Sequence, residues 1–193
     1  MAGKRTSVFG VGINDADYFT CKRIDGKLIN CHYYTRWVHM LRRCYSKRCL
    51  RLQPTYVGCS VCDEWLTFSN FKSWMEKQDW QGKHLDKDLI VPGNKIYSPE
   101  TCAFIEQSLN KFANDRAAAR GSSMIGACYM ESAGKFASGC KNPFTGKREH
   151  LGLFKYELDA HRAWRKRKHE LACQLAELQV DKRIAKSLRN MFA

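Results

Sequence analysis

Apolar residues recur along this chain at two spacings, and the change from one to the other divides it into elements. From His32 to Ser46 the residues Tyr33, Trp37, Met40, Leu41 and Cys44 follow the period of one helix face. Trp65, Phe68, Phe71, Trp74 and Met75 repeat that spacing and predict a helix over 65–80, with a stripe so aromatic that core packing is its first role. Ahead of both, Tyr18–Arg23 and Lys27–Cys31 predict two short strands joined at Asp25-Gly26, a dipeptide suited to a two-residue hairpin. Between about 84 and 112 the pattern predicts a strand from Leu85, a turn at Pro92-Gly93-Asn94, a second strand, and a helix capped by Ser98 and opened by Pro99. Ile105–Ala119 continues as a helix with Ile105, Leu109, Phe112 and Ala113 inward.

Small and polar residues near 116–123 then read as a linker. Past it, Ile125–Met130, Lys135–Gly139 and Arg148–Phe154 predict three strands, and Glu157–Gln179 a long helix with Ala160, Trp164, Leu171, Leu175 and Leu178 on one side. A short tail helix capped by Asp181 follows, with Ile184 and Leu188 inward. The expected fold class is α+β. The expected domains are a helical module over 1–118 holding a strand-strand-helix unit, a linker at 119–123, and a three-stranded antiparallel sheet packed on one long helix over 124–193.

Charge changes the picture from fold to partner. A net charge of +14 and a pI near 9.4 favour a polyanion, because clustered lysine and arginine release counterions from phosphates. Arg36, Arg42 and Arg43 lie mostly off the apolar stripe of their helix and could lie along a phosphate backbone, or form a solvated basic face. Arg165-Lys166-Arg167-Lys168 on the long helix has the same two readings, and Lys4 and Arg5 could form a basic arm. No apolar run approaches the ~20 residues that span a bilayer, and no signal-like segment follows Met1. The expectation is a soluble cytoplasmic protein that binds no membrane.

Ten cysteines are many for a reducing compartment, so packed thiols or metal binding are preferred to disulfides. Cys59 and Cys62 have the spacing of a zinc knuckle; Cys44 with Cys49, or Cys44 with Cys102, could complete four ligands, with His32 or His84 as weaker candidates. A structural zinc and thiols packed beneath a small domain both remain open.

Two stretches resemble known families. Tyr33-Tyr34-Thr35-Arg36-Trp37, Met40-Leu41-Arg42-Arg43-Cys44-Tyr45, Val61-Cys62-Asp63-Glu64-Trp65, Leu85-Asp86-Lys87-Asp88 and Tyr97-Ser98-Pro99-Glu100-Thr101-Cys102 together resemble the HNH (His-Me finger) endonucleases of phages and mobile elements. That resemblance implies a hairpin and helix holding Mg²⁺ or Mn²⁺ against a DNA phosphate, with Asp86 as metal ligand, Asp88 and Asn94 assisting, and the general base at position 87. Here that position is Lys87, which is protonated near neutral pH and suits holding a phosphate better than activating water. His84, two residues before Asp86 on the same strand face, is the substitute base.

Gly126-Ala127-Cys128-Tyr129, Gly134-Lys135-Phe136-Ala137 and Gly146-Lys147-Arg148-Glu149-His150-Leu151-Gly152-Leu153-Phe154 resemble the APETALA-type, integrase-like DNA-binding domain. By that resemblance Lys135, Lys141, Lys147, Arg148 and His150 would face DNA, mainly through phosphates. The implied function is a phage-type protein bound to double-stranded DNA that nicks or cuts it, in the host cytoplasm. The alternative is a DNA-binding regulator, or an inhibitor of a host protein, that cuts nothing; RNA binding by the same basic surfaces is a third reading.

Overall fold

The computed structural model describes residues 7–114 and 123–193. Its elements are β1 (Cys21–Ile24), β2 (Lys27–Asn30), α1 (His32–Tyr45), α2 (Lys47–Leu52), β3 (Ser60–Val61), α3 (Phe68–Met75), β4 (His84–Asp86), β5 (Ile96–Tyr97), β6 (Ala103–Ile105), α4 (Gln107–Ala113), β7 (Ala127–Met130), β8 (Lys135–Lys141), β9 (Arg148–Phe154), α5 (Glu157–Glu177) and α6 (Lys182–Asn190). The class is α+β, and the chain divides into two compact units, 1–106 and 107–193. Positions 119–122 of the expected linker, the far end of the expected 105–119 helix, Lys4 and Arg5 lie outside the described residues.

In the first unit α1 and α3 face each other through the stripes seen in the sequence. Trp37, Met40 and Leu41 meet Phe68, Phe71 and Met75 in one buried cluster, and the Trp37 indole donates to the Trp65 carbonyl at 2.7 Å. The helix expected over 65–80 is shorter and begins later. Asp63–Leu66 forms a 3-10 turn, and Thr67 is drawn into extended backbone because Ile13 brackets it: Ile13 N–H donates to Leu66 O and Phe68 N–H to Ile13 O.

The stretch from 84 to 105 departs most from expectation. β4 and β5 do not form a hairpin: β4 pairs antiparallel with β6, while β5 pairs in parallel with β3. The helix expected from Pro99 is a single turn in which Cys102 N–H donates to Ser98 O and the Thr101 hydroxyl to Ile96 O. The chain leaves that turn as Ala103-Phe104-Ile105, all buried, and their burial against β4 outweighs continuing a helix begun by a good cap.

The second unit follows the expected order, with β7, β8 and β9 antiparallel and α5 across one face. The Ser138 hydroxyl donates to Ala160 O at 2.7 Å, and Cys140 joins Trp164, Leu171 and Ala172 in the core. Asp181 caps α6 by accepting from Arg183 N–H, as its position predicts.

Candidate functional site

The turn between β4 and β5 is built around an ammonium group. Lys87 is only 5% exposed, and its Nζ donates to Asn94 O at 2.7 Å and to the Asp88 carboxylate. Asn94 returns the contact, its amide donating to Lys87 O at 3.0 Å and Ile96 O at 2.6 Å. Asp86 is occupied in a different way: its Oδ1 accepts from the backbone amides of Asp88 and Leu89 at 2.9 and 2.7 Å. Burial pushes the Asp86 carboxyl up, and those two amides pull it back. Lys87, Asp88 and Asn94 therefore form one network with Asp86 tied to the same turn, while His84 is exposed at the start of β4.

These residues do not fit a divalent-ion site. One oxygen of Asp86 is spent on backbone amides, the Lys87 ammonium sits against the Asp88 carboxylate where an ion would meet a like charge, and the Asn94 side-chain oxygen accepts from Ile96 N–H. Among the described residues no three His, Cys, Asp or Glu side chains converge to hold a metal. Cys44, Cys59 and Cys102 lie in the apolar core with Cys62 at its margin, and burial pushes the Cys44 and Cys102 thiols up to about 12.

The three arginines of α1 separate. Arg36 donates to Lys83 O at 3.4 Å, with its Nε buried. The Arg43 guanidinium lies 5.6 Å from the Tyr56 ring, held inside the unit. Arg42 is exposed.

The sheet of the second unit assembles most of the other predicted residues. Period-2 alternation, with Ser138 and Cys140 turned to α5, puts Lys135, Ala137, Gly139 and Lys141 of β8 on the opposite face. The register then sets Arg148 opposite Lys141 and His150 opposite Gly139 on that outer face. Lys135, Lys141, Arg148 and His150 are all exposed there. A side chain at position 139 would meet the Glu149 carbonyl and the Arg148 guanidinium, so glycine is what lets that guanidinium lie along the sheet. Lys147 stands on the β8–β9 turn, which Asn142 stiffens by accepting from Phe144 and Thr145 N–H.

Glu149, the one carboxylate in these strands, points the other way. Arg167 of α5 donates to it at 2.8 and 3.1 Å, Asn142 at 2.7 Å, and together they hold the carboxyl down at about 2. This pairing was not foreseen in the basic run 165–168, although an acid between Arg148 and His150 was a visible oddity. Lys168, expected with that run on a solvated or phosphate-facing side, instead continues the Trp164–Leu171 stripe at helical spacing and is a cation on the apolar face. It is 8% exposed, donates to Phe112 O at 2.7 Å with its ammonium 3.2 Å from the Phe112 ring, and burial pulls its pKa down to about 8. Lys168 lines a cleft of about 900 Å³ with Lys111, Lys141 and Arg148, and no carboxylate lines it.

No helix among the described residues is long and apolar enough to cross a membrane. No protein-family model, curated protein or solved structure matches the chain.

Proposed function

We propose that this chain is a double-stranded DNA-binding protein, that the outer face of β7–β9 lies against the duplex, and that it acts by binding and does not hydrolyse phosphodiesters. One observation carries the reading: the exposed sheet face presents Lys135, Lys141, Arg148 and His150, while its strands' one carboxylate is turned to the helix and neutralised. A three-stranded sheet is narrow enough to approach the major groove, where lysine and arginine bind phosphates and an arginine can pair with guanine. The +14 charge of the chain supports the same partner. Against hydrolysis stand the Lys87 ammonium where a base would act, its pairing with the Asp88 carboxylate, and the backbone amides already donating to Asp86 Oδ1 and Asn94 Oδ1.

The test is duplex binding by fluorescence anisotropy across a salt series. Lys147→Ala with Arg148→Ala is expected to weaken binding roughly tenfold or more and to lower the salt slope by about two. Unchanged affinity and slope would remove this face as the DNA surface. Plasmid incubated with the protein and Mg²⁺ or Mn²⁺ is expected to stay supercoiled; nicking that disappears in Asp86→Ala would overturn the non-hydrolytic half of the proposal. A-form RNA duplex, run in parallel, is expected to bind more weakly than DNA, because its deep major groove does not admit the sheet.

A further inference from the structure

The β1–β2 ribbon of the first unit is exposed at every one of its ten positions from Cys21 to Asn30. An isolated two-stranded hairpin is marginal in water, so this one depends on how it is closed and anchored. At its tip Asp25 and Gly26 both have positive φ, 50° and 76°, the turn that matches strand twist. At its base Cys31 N–H donates to Thr20 O, the Tyr18 hydroxyl meets Cys31 Sγ at 3.5 Å, and the Lys72 ammonium lies 5.2 Å from the Tyr18 ring. The ribbon is thus fixed at one end and bare along both faces.

What it presents is patterned. Lys22 is opposite Ile29 and Ile24 opposite Lys27, so alternation gathers two lysines and two isoleucines on one face in a checkerboard without a carboxylate. The other face carries Arg23 and Leu28 with Cys21 and Asn30. Ile24, Leu28 and Ile29 are 44%, 57% and 52% exposed, more apolar surface than so short a ribbon needs for its own stability.

We infer that this ribbon is a second DNA-contacting arm, with its Lys22/Ile24/Lys27/Ile29 face in a groove of the duplex. A two-stranded ribbon fits the width of a major groove. Lys22 and Lys27 reach phosphates, and Ile24 and Ile29 pack on sugars and thymine methyls. Charge complementarity selects the partner: three cations stand against Asp25 alone, on a chain of +14. The inference rests on the DNA reading above but uses a different unit, so the two can fail separately.

The experiment uses the full chain and labelled duplex DNA, with anisotropy over a salt series and a hydroxyl-radical footprint. Lys22→Ala with Lys27→Ala is expected to lower the salt slope by about two and shorten the footprint. Ile24→Ser with Ile29→Ser is expected to weaken binding several-fold at unchanged slope. None of these side chains enters the core, so the variants should melt like the wild type. If both variants match wild type in affinity, slope and footprint while the Lys147/Arg148 variant is impaired, the arm is not a DNA contact and only this inference falls. No binding by the wild-type chain overturns both. Wild-type dimers by light scattering that the isoleucine variant abolishes would assign the face to a second copy instead.

Discussion

Lys87 is the residue at which resemblance and geometry part. In the sequence it stands where a nuclease-like frame would place its base; in the fold it is a buried cross-link between Asp88 and Asn94. Asp86 beside it accepts two backbone amides, and its replacement separates structural from catalytic roles. Asp86→Ala leaves those amides without an acceptor and is expected to cost about 1–3 kcal/mol in urea unfolding. Asp86→Asn keeps an oxygen at that position and is expected to lose much less. Glu149 supplies the pH dependence. Its carboxyl is held at about 2, below the ordinary 4.5, so its stabilising contribution is present above pH 4.5 and is lost as pH falls from there toward 2. Glu149→Gln should flatten acid unfolding of the second unit over that window, followed by Trp164 fluorescence; an unchanged acid profile would show that the Arg167 pair contributes nothing.

At the scale of elements, what could be read from the chain was what neighbours in sequence decide. The β1–β2 hairpin follows from Asp25-Gly26, α1 from the Trp37 stripe, and the three-strand-and-helix order of the second unit from alternation giving way to helical spacing. What could not be read was set by distant partners. Ile13 determines where α3 begins, Ser60–Val61 takes β5 away from β4, and Ala103–Ile105 replaces the expected helix with a strand. The candidate site divides the same way: the outer-face cations were named from the resemblance and the strand register sets them on one face, Lys87 is held by neighbours in sequence, but the capture of Arg36 and Arg43 by distant partners had no local signal. Gly126 shows how closely two elements meet. It has φ +81°, and a Cβ there would overlap the Trp164 ring of α5. Gly126→Ala combines overpacking with backbone strain and is expected to cost roughly 3 kcal/mol, read as a lower melting temperature of the second unit.

For the whole molecule, the division falls at Glu106/Gln107, so α4 belongs to the second unit. Phe112 of α4 accepts from Lys168 and lies 6.0 Å from the Phe192 ring. A fragment over 107–193 is therefore expected to melt cooperatively, and one over 124–193, which lacks α4, at a clearly lower temperature. Equal melting of the two would mean that α4 adds nothing. The shorter fragment would also take the Phe112 carbonyl and ring away from the Lys168 ammonium, leaving it the Phe192 ring at 4.8 Å.

The uneven burial of the ten thiols has a practical consequence. Cys21 and Cys128 are the exposed ones, and the first begins the ribbon while the second lies on β7. Burial holds Cys44 and Cys102 protonated and out of reach of alkylating reagents. Brief treatment with a maleimide dye should therefore mark the outer face of the sheet through Cys128 and, through Cys21, the back of the ribbon opposite its proposed contact face, without any engineered cysteine. The native chain thus carries attachment points for fluorophores that would report, separately, which surface meets DNA.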